Sequence, residues 1–496
     1  MVKQLKLFID NKWVDAEAKA TFDSVNPASG EKVAQLAKAA GGDVDKAVSA
    51  ARAAFESGVW SRMDPDKRAD LMLKAAEIMR RRFDELAQLE AIDAGKPIRE
   101  TRLVDIPYSI RAMEYFANMS REIKGEVIPL PGDQAFDWVS FEPYGVVAAI
   151  TPWNFPLHLA TRAICPAIAT GNCVVAKASS LAPVTPVILG EIFLEAGFPP
   201  GVVNILSGPG STTGDALARH ADVRMITFTG SVEIGRRVME LAATSPIIKK
   251  VLLELGGKGP FIAEADCDLD AAVNSLIPGF CLVEGQVCCA STRLYLHSGI
   301  YDEFMENLVR KVSSLRMGDI MDPDTQLGSM ISPEQLKTVD RYVKDAVKSG
   351  VKLIYGGEQV TTPPCDKGSF YKPTILEVES NSLPCVREEI FGPVLTVQRY
   401  DKLDDAIALA NDTEYGLGAT VWSSNPRTLF RAAKEIDAGM VWLNTNVMSK
   451  IEAPYGGNKN SGVGREDGTI GLKEYVKAKN NVLYLGKPED DNFYGF

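Results

Sequence analysis

Histidine is scarce in this chain: three residues in 496, His158, His220 and His297. None has the spacing of a metal-binding helix such as HExxH, so no metal centre is expected, and a cysteine–histidine hydrolase would need one of these three as its base. The eight cysteines, at 165, 173, 267, 281, 288, 289, 365 and 385, form no CxxC pair and no regular spacing. That excludes a zinc ribbon and a disulfide framework, and it fits a reducing cytosol. Long apolar runs are also missing. No uninterrupted stretch is long enough to span a bilayer, and the opening MVKQLKLFIDNKWVDA lacks the extended apolar segment of a signal peptide, so a cytoplasmic protein is expected. Positive charge is not in excess: 54 Lys and Arg face 65 Asp and Glu, a net charge of −11. Neither a nucleic acid nor an anionic membrane is therefore expected as a partner.

What is present is a soluble composition, 46% hydrophobic and 24% charged, in a chain long enough for more than one core. KLFIDNKWV alternates and turns at Asp10-Asn11, which predicts a hairpin. Val44, Ala47, Val48, Ala51 and Phe55 recur at helical spacing, with Asp43 as the expected N-cap. Leu71, Met72, Ala75, Ile78, Met79, Leu86 and Leu89 predict one long helix from Asp66 to Ala94, stopped by Gly95 and Pro97. From about residue 145, β-rich runs (GVVAAI, NCVVAK, VVNIL, MITFTG, VLLELGG) alternate with helical segments. A second series (RLYLH, VKLIYGG, VLTVQRY, ATVWSS) follows residue 256. This is the texture of two α/β domains with parallel-sheet cores. Between RLYLH and VKLIYGG, Ser332-Pro333-Glu334-Gln335 predicts a capped helix that ends before Gly350. The polar, acidic KPEDDNFYGF reads as a surface tail.

Four stretches carry chemistry. TPWNFP, 151–156, follows the GVVAAI strand, where α/β proteins bind ligands. Asn154 there is either an oxyanion donor or a turn residue. FTGSVEIG, 228–235, joins a strand to a helix through small residues, a place for a phosphate or a plain βα turn. It lacks the G-x-G-x-x-G spacing, and GPGSTTG at 208–214 is one residue too long for it. In LELGGKGP, 253–260, Glu254 ends an apolar strand, so it is either a base of raised pKa or one half of an ion pair. EGQVCCASTR places Cys288 and Cys289 side by side. A free thiol is only a few per cent thiolate at neutral pH, and these residues alone do not say which one reacts.

TPWNFP, GN-CVVAKAS, FTGSVEIG, LELGGK, GQVCCA, EEIFGPV and PYGGNKNSGVGRE occur in the order of the NAD(P)-dependent aldehyde dehydrogenase superfamily, which the chain resembles over nearly its whole length. The resemblance implies two Rossmann-like α/β domains and a small β oligomerisation arm. Residues 1–121 and 145–255 would bind the dinucleotide, 256–476 would be catalytic, 122–144 and 477–490 would form the arm, and 491–496 the tail. It implies a homodimer or homotetramer. In the family's G-Q-x-C pattern the nucleophile is the second residue after Gln, which is Cys288. Cys289 would line the pocket. Asn154 and the Cys288 N–H would hold the oxyanion, Glu254 would activate water, and Glu466 would relay a proton. Lys177, Gly230, Ser231, Glu389, Phe391 and Trp153 match cofactor positions.

Two departures bear on specificity. A glutamate that grips the ribose hydroxyls in NAD-selective members is Ser180 here, which implies use of NADP as well as NAD. Arg162 stands where relatives with bulky apolar substrates place an aromatic, and where semialdehyde-type members hold a substrate carboxylate. Ser449 matches a serine of that pocket, Leu282 replaces its second arginine, and the stretch also resembles the aromatic-aldehyde branch. Phe155 and Tyr455 would add an aromatic wall. The expected substrate is a small polar, semialdehyde or aromatic aldehyde. Glu254 favours release of a free acid over transfer to coenzyme A. A catalytically silent, crystallin-like protein is the alternative from another class.

Overall fold

The computed structural model describes residues 3–130 and 135–486. The expected tail, residues 487–490 of the expected arm and residues 131–134 lie outside the described residues.

An eight-stranded sheet carries the first α/β unit. Five of its strands are parallel and lie in the spatial order Lys250–Glu254, Val223–Thr229, Val146–Ile150, Cys173–Ala178, Val203–Ser207. Chain order therefore reverses at Val146–Ile150, and loops leaving its carboxyl edge diverge to open a crevice. Val146–Ile150, Cys173–Ala178 and Val203–Ser207 are buried at every position, as expected of strands covered on both faces by helices. Leu7–Ile9 and Lys12–Val14 extend one edge as the expected hairpin, and Asp10 and Asn11 take the left-handed φ of 54° and 57° that its tight turn requires. The other edge is closed by Gly462–Val463, which comes from far along the chain.

A seven-stranded sheet carries the second unit. Its six parallel strands run Thr374–Glu377, Val394–Tyr400, Ser291–His297, Gly259–Ala263, Gly418–Trp422, Met440–Leu443, with Lys352–Tyr355 antiparallel at the edge. A third sheet joins Val476–Tyr484, Ala135–Pro143 and Glu126–Ile128, all antiparallel. A fourth joins Lys3–Leu5, Lys32–Ala37 and Thr21–Val25.

Three local expectations change. The long helix is two, Pro65–Arg81 and Phe83–Ala94, broken at Arg82, whose φ and ψ of −95° and 16° leave the helical region. The side chain of Arg82 reaches Glu85 and Glu191, which the bend brings within reach. Asp43 is not the N-cap of its helix. The helix spans Gly41–Ser57 and Asp43 is its third residue, accepting from the N–H groups of Ala40 and Glu17. Ser332 does cap Pro333–Lys348, but Gln335 turns away from the cap and donates to the carbonyls of Ile390 and Phe391.

Trp60 ties the first helices to the sheet. It is fully buried, stacks on Phe198 at 5.1 Å and donates its indole N–H to Ile168 at 3.0 Å. Trp60→Ala leaves a large cavity and an unpaired carbonyl. It should cost about 3–5 kcal/mol, read as a lower denaturant midpoint of the first unit.

Candidate active site

The site sits where the two large sheets meet. Asn154 follows the carboxyl end of Val146–Ile150, Lys177 lies near the end of Cys173–Ala178, and Gly230 and Ser231 follow Val223–Thr229. Glu254 is the last residue of Lys250–Glu254, and Gly259–Ala263 of the second sheet begins five residues later. Cys288 and Cys289 precede the second-sheet strand Ser291–His297. One covalent segment, 254–259, thus bridges the sheets beside the cysteines. Its glycines permit the contact. A Cβ on Gly257 would lie 2.4 Å from the Cys288 carbonyl oxygen, and one on Gly256 would lie 2.1 Å from the Glu389 carboxylate. Glu389 uses that room to accept from the Gly257 N–H at 3.0 Å.

Cys288 is half-buried and Cys289 is buried. A hydrogen bond between the thiols raises Cys288 and lowers Cys289, while burial raises both. The pair therefore titrates as a unit, and its first proton leaves more readily than its second. The phenol of Tyr455 lies 3.4 Å from Cys288 Sγ. Burial keeps that phenol protonated well above its usual range, so it serves as a donor to a thiolate. Arg162 stacks on the same ring, 4.2 Å from its centroid.

Asn154 is buried and donates its side-chain N–H to the Gln286 carbonyl at 2.9 Å, which fixes its amide against the cysteine loop. Glu254 is 1% exposed, and neither carboxylate oxygen has a hydrogen-bond partner. Burial, then the facing Cys288, raise its pKa well above the ordinary carboxyl value, and Arg162 at 3.8 Å opposes them. Arg162 itself is ion-paired with Glu466, whose other oxygen accepts from Thr227 at 3.5 Å. The neighbouring Asp467 is buried, accepts from Tyr108 at 2.6 Å, and is raised to about 7 by desolvation. One guanidinium thus serves three carboxyl groups.

A cavity of 630 Å³ opens onto Cys288 and Cys289. Phe155, Tyr108, Leu159, Val287 and Tyr455 give it apolar and aromatic walls, and Ser449 and Arg162 also line it. Sequence reasoning named Phe155, Arg162, Cys289, Ser449 and Tyr455, and all five line this one cavity. It missed Tyr108 and Asp467, which carry no local motif; Asp467 alone had a signal, its place beside Glu466, while His158 was considered only as a hydrolase base. His158 lies between the rings of Tyr108 and Phe155, and burial holds it well below its usual pKa. Neither ring nitrogen has a hydrogen-bond partner, so it is neither oriented by a carboxylate nor bonded to a thiol, as a hydrolase base would be.

The cofactor-matched residues lie at strand ends and in the loops after them. Lys177 is buried, and desolvation lowers it to about 8. Ser180 donates to the Gly208 carbonyl at 2.9 Å. Ser231 caps the helix Val232–Ala243 by accepting from Ile234, and Gly230 precedes it. Trp153 meets Phe391 edge to face at 5.3 Å, and Glu389, raised to about 7 by burial, lies two residues before Phe391. Among the described residues, no group of three or more His, Cys, Asp or Glu side chains gathers to hold a metal.

Gly257→Ala should displace the Cys288 backbone. About a 10²-fold loss of kcat is expected, with the circular dichroism of the folded protein retained. Wild-type kcat would show that the close approach is not needed.

Residues 13–481 match the aldehyde dehydrogenase family. The betaine aldehyde dehydrogenase of Bacillus subtilis (strain 168) is 39% identical over 98% of this chain and 99% of its own length. An aldehyde dehydrogenase of Enchytraeus buchholzi is 40% identical over 98% and 97%. The solved P. syringae AldA indole-3-acetaldehyde dehydrogenase, in complex with NAD+ and IAA, superposes with a TM-score of 0.95 at 38% identity, covering 98% of this chain and 97% of that one. The chain therefore belongs to the aldehyde dehydrogenase family and oxidises an aldehyde to the carboxylic acid with NAD(P)+ through a cysteine-bound thioester.

Proposed function

We propose that Cys288 is the nucleophile of this reaction. The observation that carries the assignment is its position: of the two thiols it is the more accessible, it opens onto the apolar cavity, and it faces both Tyr455 and the unpartnered Glu254. Its thiolate adds to the aldehyde carbon, and the Tyr455 phenol and the Arg162 charge favour that thiolate. The Asn154 amide and the Cys288 N–H hold the oxyanion; one such donor is typically worth about 10²–10³ in rate. A bound dinucleotide supplies the hydride acceptor. Glu254, held in a dry pocket without a hydrogen-bond partner, then takes a proton from the water that hydrolyses the thioester. Glu466, on the same guanidinium, is placed to pass that proton on. Cys289 packs behind Cys288 as a pocket wall.

The cofactor assignment rests on fit. Among the described residues no anion pairs with the buried ammonium of Lys177, the helix that begins after Gly230 and Ser231 offers free N–H groups to a diphosphate, Trp153 packs on Phe391, and Glu389 holds the Gly257 N–H three residues from Glu254. Ser180 puts no carboxylate next to Lys177, so a 2′-phosphate meets no fixed negative charge. We read the enzyme as accepting both NAD and NADP. Residues 1–121 with 145–255 then form the cofactor domain, 256–476 the catalytic domain, and 122–144 with 477–490 the arm. Exposed apolar residues on the arm, Val127, Phe136, Val482 and Leu483, support assembly as a homodimer or homotetramer. Among the described residues, no helix is long and apolar enough to cross a membrane, and the acidic balance of the chain fits a cytoplasmic enzyme.

For the substrate, the ion pair weighs against one of the three expected classes, the semialdehyde acid. A substrate carboxylate would have to displace Glu466 from Arg162 in a dry space, so the walls built by Phe155, Tyr108 and Tyr455 favour an aromatic or small polar aldehyde over a semialdehyde acid.

Cys288→Ala should abolish reduction of NAD or NADP by an aldehyde panel in the absence of coenzyme A. Cys289→Ala should retain it, and the reverse pattern would overturn the assignment. Glu254→Gln should keep a single burst of reduced cofactor and lose steady turnover. Because burial raises Glu254, its ionised fraction is still growing with pH above the ordinary carboxyl range, and wild-type deacylation should quicken with it; a pH-independent rate would remove the base role. Ser180→Glu should lower kcat/KM for NADP about tenfold or more against that for NAD, through like-charge repulsion.

A further inference from the structure

The loop that delivers Cys288 begins with a backbone that L-residues avoid. Val283, Glu284 and Gly285 have φ of 50°, 52° and 70° in succession, one turn of left-handed coil. For a β-branched residue such as Val283 this is a true outlier. Gly285 has no alternative, since a Cβ there would lie 2.3 Å from the Gly392 carbonyl. Such strain persists only where the surroundings over-determine it.

Two buried carboxyl groups do so. Glu100, on the neighbouring helical segment, accepts from the Val283 N–H with both oxygens, at 3.2 and 3.4 Å. Glu284 accepts from the Gly328 N–H. Gln286, the next residue but one, donates its amide to the Val283 carbonyl at 2.9 Å, accepts from the Ile331 N–H at 3.0 Å, and presents its own carbonyl to Asn154. The turn, the Asn154 amide and Cys288 are therefore fastened as one unit.

We propose that Glu100 and Glu284 are positioning residues that latch this left-handed turn and so set the place of Cys288. The inference rests on Cys288 being the nucleophile. Among the described residues, Lys96 is the buried cation that faces the latch. It pairs with Asp105 at 2.6 Å and lies over the Phe155 ring at 4.0 Å. Glu100 faces Lys96, Asp105 and the exposed Arg99; Glu284 faces Glu100, Lys96 and the Cys281 thiol, itself held protonated by burial. Glu90 also faces Lys96 and Asp105, and four buried acids with one ammonium cannot all be charged away from water. Desolvation raises Glu100 to about 8, so it holds the turn largely as a neutral acid near pH 7, and the same burial favours the neutral form of Glu284. Ionisation strengthens each carboxyl group as an acceptor but sets Glu100 and Glu284 side by side as like charges, and that repulsion works against the latch as pH rises.

The test uses Glu284→Gln and Glu100→Gln, which are neutral at every pH, with Glu284→Ala. Three readouts are needed: kcat against KM for NAD, the pH profile, and the rate at which iodoacetamide alkylates Cys288, followed by peptide mass spectrometry. Both glutamine variants should keep kcat near neutrality and carry the alkaline limb of the profile to higher pH. Glu284→Ala should lose about 10²-fold in kcat and in alkylation of Cys288, with KM for NAD unchanged. An alkaline limb that stays in place in both glutamine variants overturns the proposal, as does Glu284→Ala behaving like the wild type. If the alanine variant does not fold, the glutamine profiles decide alone. Turnover surviving Cys288→Ala removes the nucleophile assignment, and the latch with it.

Discussion

Everything at this site depends on two backbones passing closer than side chains allow. The segment after Glu254 touches the Cys288 carbonyl only because residue 257 has no Cβ, and it touches Glu389 only because residue 256 has none. That approach sets Glu254 facing Cys288 across the junction of the sheets. It also welds the cofactor side of the junction to the sulfur side, since Glu389 hydrogen-bonds the Gly257 N–H. In the roles proposed for them, Glu254 on one rigid strand end and Cys288 fastened before another need little reorganisation during reaction.

The second constraint is charge. The apolar core that buries Glu254 forbids free carboxylates, yet Glu254, Glu466 and Asp467 lie together. Arg162 makes the arrangement affordable. It is paired with Glu466 and close to Glu254, and it rests on the Tyr455 ring. The same guanidinium therefore acts on the base through space and on the sulfur through Tyr455. A residue committed on two sides has little to offer a substrate anion, which links the protonation of Glu254 to the choice of aldehyde.

The βα texture of both sheets was legible in the sequence because buried parallel strands are continuous apolar runs. Lys177, Gly230 and Glu254 were legible because each falls at or near a strand end. Periodicity failed at Arg82, where the apolar stripe continues across a break that ion pairs with Glu85 and Glu191 accommodate. Capping rules failed at Asp43 and Gln335 for one reason. Each has a tertiary partner, the Glu17 N–H or the Phe391 carbonyl, that local pattern cannot see. The site itself was half visible. Adjacent thiols differ in burial and partners, and neither property is written in their spacing. Arg162 and Glu466 are 304 positions apart, and Tyr108 meets Asp467 across 359.

The buried acids beneath the cysteine loop extend the same logic away from the reacting atoms. Glu90 accepts from the Leu157 N–H and Thr185, Glu100 from Val283, and Glu284 from Gly328, so each carboxyl group satisfies backbone donors where regular structure stops. A neutral amide side chain could accept the same bonds without a proton to lose. Acids at these positions make the geometry of the loop depend on protons that the interior retains at neutral pH. Glu254, in the role proposed for it, needs the opposite, a carboxyl group that gives up its proton. Both sets of groups are raised by the same desolvation. Loss of a proton therefore has opposite consequences at the two places: it arms Glu254 as a base, and under the cysteine loop it sets like charges side by side.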